Sequence, residues 1–353
     1  SEALKEQATW DELFAAHAVN ETAATRCIGL VIETRPDEIN EEEVIRIRKL
    51  GATKVQIGIQ SLNDSVLQKN KRGHTSKQTR YAINLLRRAG FKIHAHWMPN
   101  LYGSTPTEDM KDFDKLFSDL SIRPDELKVY PCSLIQSAEL MRYYEDGLWK
   151  PYEESELLSV LVHVFKQTPR YCRLTRVIRD IPGTDIVVGN KKTNFRQLVE
   201  EHLVHEDIKE IRGREIKDSK PDLEALKLTI TKYPTKVSTE FFLEYVTDQD
   251  KLAAFLRLSL PKRLYKKKHF ISDLVGAAII REVHVYGSSL EINKKTEGVA
   301  QHIGLGAKLI DQAKQLSKKH RFSKIAVISS IGTKEYYKKH CFNQAGLFQV
   351  CEI

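Results

Sequence analysis

The sequence predicts an α/β chain, a partial parallel βα barrel followed by a second, smaller α/β unit. Strand-like and helix-like stretches alternate from Arg26 to Tyr130, which implies parallel pairing through short connections. Near the other end, the turn Gln301-His302-Ile303-Gly304-Leu305-Gly306 leads from one strand-like run into a helix-like run and on to another strand. With 353 residues and 41% hydrophobic content, the chain can bury more than one core.

Taken in order, Ser1 to Thr25 reads as a helix with an irregular apolar stripe of Leu4, Trp10, Leu13, Phe14 and Val19. Cys27 to Thr34 is the first strand, Glu41 to Leu50 a helix closed by Gly51, and Val55 to Gln60 a strand with Val55, Ile57 and Ile59 on one face. Thr75 to Ala89 is a capped helix ended by Gly90, Phe91 to Met98 a strand, Asp109 to Leu120 a helix and Glu126 to Tyr130 a strand. Residues 1–190 form the expected barrel, 191–221 a charged connector with poor apolar periodicity, and 222–353 the second unit. That unit holds the strand Ala277 to Tyr286, the glycine turn, a helix with Leu305, Leu309, Ala313 and Leu316 at helical spacing, and the strand Lys324 to Ser329. Glu335 to Lys339 follows as a tyrosine-bearing helix.

A net charge of +9 and a pI near 9.1 favour a polyanionic partner, although a solvated basic surface gives the same balance. No run approaches the roughly 18 apolar residues of a membrane span, and no signal peptide opens the chain. A start at Ser1 with the three methionines internal implies a processed or truncated product. Five scattered cysteines, at positions 27, 132, 172, 341 and 351, argue for a reducing cytoplasm without a disulfide framework.

Chemistry in parallel sheets and barrels gathers at the carboxyl ends of the strands. Those ends carry Glu33-Thr34-Arg35-Pro36, Gln60-Ser61, His94 and His96, and Tyr130-Pro131-Cys132. His94 and His96 face the same side of one strand, as two ligands of a metal-dependent barrel hydrolase would, or as histidines with ordinary hydrogen-bond partners. In the glycine turn, Gly304 and Gly306 let backbone approach a ligand at a helix start, where free N–H groups and the helix dipole favour a pyrophosphate. The third glycine of a dinucleotide fingerprint and the Gly-Lys-Ser/Thr of a P-loop are both missing, so the alternative is a plain turn into a surface helix.

The strand, Q-x-x-G-x-G turn, helix, strand and tyrosine helix together resemble the acetyl-CoA half of the GNAT acetyltransferases. A wider set of motifs resembles the Elongator catalytic-subunit family from about Asn20 onward. These are Cys27-Ile28-Gly29-Leu30-Val31-Ile32-Glu33-Thr34-Arg35-Pro36-Asp37, Gly58-Ile59-Gln60-Ser61-Leu62 with Arg72-Gly73-His74, His96-Trp97-Met98-Pro99-Asn100-Leu101, Arg179-Asp180-Ile181-Pro182 and Arg281 to Tyr286. The resemblance implies a radical S-adenosylmethionine barrel fused to a GNAT-like acetyltransferase domain. It further implies an acyltransferase that builds a carboxymethyl-type group on carbon 5 of the tRNA wobble uridine, with other Elongator-type subunits or self-association as further partners. A tRNA-binding scaffold without turnover is the non-catalytic alternative.

Carried onto this sequence, the resemblance implies S-adenosylmethionine contacts from Glu33, Gln60 and Ser61. For acetyl-CoA it implies strand-like contacts from Glu282, Val283, His284 and Val285, and a phosphate cradle of Gln301, Gly304, Leu305, Gly306 and Ala307. Tyr337 would stand at the thioester as the catalytic group, and Arg26 occupies a position that is often Lys in the family. The family's 4Fe-4S cluster needs a tight cysteine triplet upstream of Thr25, and the sequence has none, so no metal ligand is assigned. Cysteines that some relatives carry in the stretch matching Ile208 to Glu215 are missing as well, which puts a structural zinc in doubt.

Arg173, Arg176 and Arg179, then Lys191 and Lys192, and finally Lys262, Arg263, Lys266, Lys267 and Lys268 around Tyr265 form two basic patches. Their composition suits a phosphate backbone gripped at the domain junction with a base stacked or flipped inward. The plain alternative for the second patch is a solvated face.

Overall fold

The computed structural model describes residues 8–177, 182–189, 195–204, 206–216, 225–286 and 304–353. The expectations at Arg179, Lys191, Lys192 and Gln301 lie outside them. In chain order the first half contains α1 (Trp10–Thr22), β1 (Val31–Thr34), α2 (Glu41–Lys49), β2 (Lys54–Gln60), α3 (Asp64–Lys69), α4 (Ser76–Arg88), β3 (Lys92–Trp97) and α5 (Pro106–Ser118). It continues with β4 (Glu126–Val129), β5 (Leu134–Ile135), α6 (Leu140–Glu145), α7 (Glu154–Gln167), β6 (Arg173–Val177), β7 (Ile186–Val188), α8 (Phe195–His202) and α9 (Ile211–Arg214). The second half adds β8 (Lys227–Pro234), β9 (Ser238–Val246), β10 (Leu252–Pro261), α10 (Arg263–Lys267), β11 (Ala277–Val285), α11 (Leu305–Lys319), β12 (Lys324–Val327), α12 (Lys334–Lys338), β13 (Asn343–Ala345) and β14 (Phe348–Glu352).

Strands β1-β2-β3-β4-β6 pair in that order, all parallel, as the open barrel. Local chemistry sets the helix ends. Thr75 and Gln78 form a reciprocal capping box at the start of α4, Asn40 caps α2, and Gly90 closes α4 at φ +78°, a conformation most side chains resist. The outward residues Val55, Ile57, Ile59, Ile93, Ala95, Trp97 and Leu127 are fully buried under the helices. The inward residues are polar instead: Lys54, Gln56, Lys92, His94, His96, Glu126 and Lys128. Side chains from next-nearest strands touch across the lumen, Lys54 with Glu126 at 2.5 Å and Gln56 with Lys128 at 2.8 Å.

Three expectations change. The first helix begins at Trp10 and buries none of its residues, so Trp10, Leu13, Phe14 and Val19 of the expected stripe stay outside the core, and Leu4 lies outside the described residues. The first strand pairs only from Val31, the preceding residues running without strand partners. Within the stretch expected as a connector, α8 and α9 bury Phe195, Val199 and Ile211 in the same core as the barrel helices, two or three apolar anchors being enough beneath a charged surface.

The second sheet is mixed, in the order β13-β14-β12-β11-β10-β9-β8, with β11 and β12 parallel and the remaining pairs antiparallel. β12 pairs only with Ala277–Ile280 and then stops, while β11 runs on to Val285 against β10. The two strands therefore part, and the edge from Arg281 to Val285 has no strand partner on that side among the described residues. Helix α11 packs Leu305, Leu309, Ile310 and Ala313 beneath this opening.

The halves meet at the amino ends of the barrel strands through buried charges. Arg281 takes Asp125 at 2.6 Å and Glu240 at 2.9 Å, and Arg257 takes Glu282 at 2.8 Å. Arg257 also donates to the Tyr171 carbonyl at 2.6 Å, and Tyr171 stacks on Tyr233 with ring centroids 3.8 Å apart. One apolar core runs through the junction, from the barrel helices to Phe242, Phe255, Ile279 and Phe348.

Candidate functional site

On β11 the strand period of two sends Glu282 and His284 to one face and Val283 and Val285 to the other. Val283 and Val285 pack toward the core under α11, and His284 stacks on Phe255. Glu282 accepts from Lys92 at 2.6 Å and Arg257 at 2.8 Å. Burial alone would raise its carboxyl, but the two cations outweigh that and hold it below the usual range. The Glu282 side chain thus anchors the edge strand to the barrel.

Gly304 caps α11 at φ +71° and offers no side-chain cap, so the N–H groups of Leu305, Gly306 and Ala307 lead the helix without intrahelical partners. The Leu305 side chain itself is buried in the core. A Cβ on Gly306 would lie 2.6 Å from the Tyr336 hydroxyl and 3.8 Å from Val285. Strand edge, helix start and a tyrosine hydroxyl therefore converge where β11 and β12 part. The hydroxyl belongs to Tyr336, whose pKa is raised by burial and by Asp311. Tyr337, the residue expected at the thioester, is buried among core residues and packs edge-on against Phe342. Its hydroxyl is held well above the usual range by burial, then by Tyr336 and Glu282. Two adjacent tyrosines on a short helix must face different ways, and nothing in their spacing says which one faces the glycines.

Arg26 lies beside the loop after β12. The Gly332 N–H donates to the Cys27 carbonyl at 2.8 Å, a Cβ on Gly332 would meet the Arg26 Cβ at 2.6 Å, and Arg26 Nε is buried without a hydrogen-bond partner among the described residues. The chain thus brings this residue of the first half to the second.

At the carboxyl end of β2, Gln60 is held at φ +60°, a strained conformation for its type, and its buried Oε1 has no partner. Arg72 Nε and His74 Nδ1 nearby are also buried and unpartnered. Such orphaned polar atoms at strand ends fit a polar ligand. Glu33 is exposed, with Oε1 3.6 Å from His96 Nδ1. The Ser61 hydroxyl donates to Asp112 at 3.0 Å and its N–H to the Ile59 carbonyl at 2.7 Å, which fixes the turn beside them.

His94 and His96 have ordinary partners. His94 Nε2 hydrogen-bonds the Thr175 hydroxyl at 2.8 Å and His96 Nε2 donates to Gln56 at 2.9 Å, while His94 Nδ1 is buried with no hydrogen-bond partner among the described residues. Burial, with Lys54 and Lys128 close by, pushes their pKa values down to about 3 and about 4. No group of three His, Cys, Asp or Glu side chains among the described residues is placed to hold a metal ion. The described residues therefore do not fit an iron–sulfur cluster, and the hydrolase alternative loses its ligand set.

Of the basic residues, Arg173 is engaged with Glu215 at 2.7 Å and Lys266 donates to the Arg321 carbonyl at 2.9 Å while lying 3.9 Å over the Phe322 ring. Arg176, Lys262, Arg263, Lys267 and Lys268 are exposed. Among the described residues, Arg176 lies toward the carboxyl end of β6, whereas Tyr265 in α10 packs on Arg88 at the end of α4, near the amino end of β3. No described helix is long and apolar enough to cross a membrane.

The barrel and the residues that follow match the model of the radical SAM superfamily over residues 9–120 and that of the Radical_SAM C-terminal domain over 124–205. The chain belongs to the family of the tRNA uridine(34) acetyltransferases and Elongator complex protein 3. It is 34% identical to the tRNA uridine(34) acetyltransferase of Dehalococcoides mccartyi over 92% of this chain and 71% of that protein. It is 38% identical to the Methanocaldococcus jannaschii protein of that name, covering 94% of this chain and 63% of the relative's length. The structure of Methanocaldococcus infernus Elp3 with an N-terminal deletion superposes over 100% of this chain and 84% of its own, at a TM-score of 0.90 and 35% identity. The chain thus spans less than two thirds of the length of the M. jannaschii relative.

Proposed function

We propose that this chain modifies carbon 5 of the wobble uridine of tRNA, using acetyl-CoA and a radical generated from S-adenosylmethionine to give a carboxymethyl-type uridine. Residues 1–190 are the barrel half and 222–353 the acetyltransferase half. The observation that carries this reading is the convergence of Val285, the uncapped start of α11 and the Tyr336 hydroxyl where β11 parts from β12. A thioester carried on a long pyrophosphate-bearing arm needs such a place: an open strand edge for its amides and a helix start for its phosphates. Gly304 to Ala307, together with Gln301, hold the phosphates, the edge from Glu282 to Val285 pairs with the arm, and Arg26 approaches from the barrel half. Tyr336 supplies a hydroxyl at the mouth, with Tyr337 behind it.

At the barrel's carboxyl end, Glu33, Gln60 and the Ser61 turn, with Arg72 and His74, receive S-adenosylmethionine, which supplies one-electron chemistry when bound with its 4Fe-4S cluster. The cluster has no ligand set among the described residues, and no step is assigned to it. The exposed Arg176, Lys262, Arg263, Lys267 and Lys268, with Lys191, Lys192 and Arg179, engage tRNA phosphates, whereas the ion-paired Arg173 and the packed Lys266 support the surface. The names of the relatives, tRNA uridine(34) acetyltransferase and Elongator complex protein 3, support tRNA as substrate and further subunits as partners.

Calorimetric titration with acetyl-CoA, followed by free-CoA release with and without tRNA, tests the reading. It requires saturable binding and release that depends on tRNA. Absent binding by a folded chain rejects the acetyl-CoA site, and equal release without tRNA rejects the gating of turnover by substrate.

A further inference from the structure

Away from the strand opening, a cavity of about 80 Å³ lies between α1, α2, the loop after β12 and the β13–β14 turn. Its lining includes Arg48, Lys49, Lys334 and His17 and, among the described residues, not one carboxylate. Arg48 is the unusual member. It is 5% exposed, and no carboxylate lies within ion-pair distance among the described residues. Its guanidinium donates to three backbone carbonyls instead, Leu347 at 3.1 Å, Ala52 at 2.9 Å and Ser329 at 2.8 Å. Three of its five N–H groups are used, which leaves two. A buried cation without a contacting anion is costly, and burial pushes the Arg48 pKa down to about 10, with Asp273 opposing from a distance. Asp273 is itself occupied by the N–H groups of Leu347 and Phe348. Lys334 has a partner in Glu21 at 2.6 Å, and Lys49 is half-buried over the Trp10 ring, so the buried cation of the lining is Arg48, which lies over the Phe348 ring at 5.2 Å.

A second, independent observation points the same way. Ser329 is 2% exposed, lines the cavity, and its hydroxyl has no hydrogen-bond partner among the described residues. Gln344, also in the lining, adds an amide. We propose that this cavity binds one small carboxylate, held by the free N–H groups of Arg48 and the Ser329 hydroxyl. The planar guanidinium matches a two-oxygen anion, and the space admits a molecule of about the size of acetate but no nucleotide. The site is built half from the barrel's α2 and half from the acetyltransferase sheet, so its occupant neutralises an unpaired cation at their seam. The assignment does not depend on the acetyl-CoA reading.

Thermal unfolding of the full chain in sodium acetate, against sodium chloride at equal ionic strength, tests it, with calorimetric titration of acetate alongside. The expected result is a saturable rise in the unfolding midpoint with acetate, following one-site mass action. Ser329→Ala, which removes one hydroxyl, should weaken acetate binding on the order of tenfold, as for a hydrogen bond to a charged group, while the protein stays folded. Arg48→Gln should abolish the acetate effect; if that variant does not fold, Ser329→Ala decides alone. Acetate and chloride acting equally, or an unchanged acetate affinity in Ser329→Ala, overturns the site. A larger effect of phosphate than of acetate overturns the carboxylate assignment.

Discussion

Arg281 and Asp125 meet as a fork on a carboxylate, Nη2 to Oδ1 at 2.6 Å and Nη1 to Oδ2 at 2.7 Å, with both side chains wholly buried. Burial alone would raise the Asp125 carboxyl, but Arg281 and Arg257 hold it far below the ordinary carboxylate range. Removing one partner strands the others. Asp125→Ala should therefore cost about 3–5 kcal/mol of stability, the usual effect of breaking a buried pair. Urea unfolding monitored by circular dichroism measures it, and a loss under about 1 kcal/mol would mean that water or rearrangement replaces the carboxylate.

Gly306→Ala places a methyl group 2.6 Å from the Tyr336 hydroxyl. The variant should lose acetyl-CoA affinity by roughly tenfold or more, because the tyrosine must move into the space that the ligand needs. Adding Tyr336→Phe removes the clashing oxygen and should recover part of the loss. A double-mutant cycle by calorimetry with no coupling between the two positions rejects the contact.

The two tyrosines separate in turnover. Tyr336→Phe should lower tRNA-dependent CoA release by at least about a hundredfold if its hydroxyl handles a proton. Tyr337→Phe, altering a buried hydroxyl, should show a smaller change in turnover and a larger change in unfolding midpoint. The reverse ranking would return the catalytic role to Tyr337.

Acid should unfold this protein before its carboxylates reach their ordinary range. His94 and His96 have folded pKa values of about 3 and about 4, below the ordinary 6.5 of an exposed histidine. Both groups therefore contribute stability above pH 6.5. As pH falls below that point, the unfolded chain takes up protons that the native one refuses, and stability drops by up to ~1.4 kcal/mol per pH unit for each histidine. Denaturant midpoints at pH 7.5 and 5.5 should show the decline, and His94→Gln should flatten it. Imidazole resonances of both residues that titrate near 6.5 in the native protein would contradict the burial argument.

Replacing Lys267 and Lys268 by Ala should weaken tRNA binding and reduce its salt dependence by a slope of roughly 0.7–0.9 for each phosphate that is no longer neutralised. Lys266→Ala should act on stability instead, since that amine is bound to the Arg321 carbonyl over Phe322. Filter binding across a salt series, with an unfolding curve for each variant, distinguishes the two effects.

Local patterns explain why some of this was legible. Val55, Ile57 and Ile59 alternate on one face, and Thr75 with Gln78 announces a helix start, so the barrel's strands and helices follow from the residues. The barrel lumen did not, because Lys54, Lys92 and Glu126 are residues that a pattern assigns to solvent. They are inside only because each finds a partner on another strand, and pairs such as Lys92 with Glu282 join residues from different halves of the chain. The helix start at Gly304 was legible for the same local reason that glycine tolerates φ +71°. The choice between Tyr336 and Tyr337 was not, since it depends on how α12 sits against Gly306. Arg173 and Arg176 share a face, which a spacing of three on a regular strand would not allow. An irregular step in the pairing with β4 sets Arg173 opposite Glu126 and Arg176 opposite Lys128.

The charged seam between the barrel and the mixed sheet has a consequence for dissecting this molecule. Arg257 and Arg281 donate to the carbonyls of Tyr171 and Phe91 at the feet of the barrel strands, and Asp125 belongs to the barrel while Glu240 belongs to the sheet. A cut in the polypeptide near residue 221 would leave the sheet fragment with two guanidinium groups that keep Glu240 and Glu282 but lose Asp125 and the barrel carbonyls, and the barrel fragment with an aspartate that has lost both. Each fragment would be soluble only by opening that face to water. The two halves can be told apart by topology, but they share one core and one buried set of charges, and the uncut chain is the form to assay.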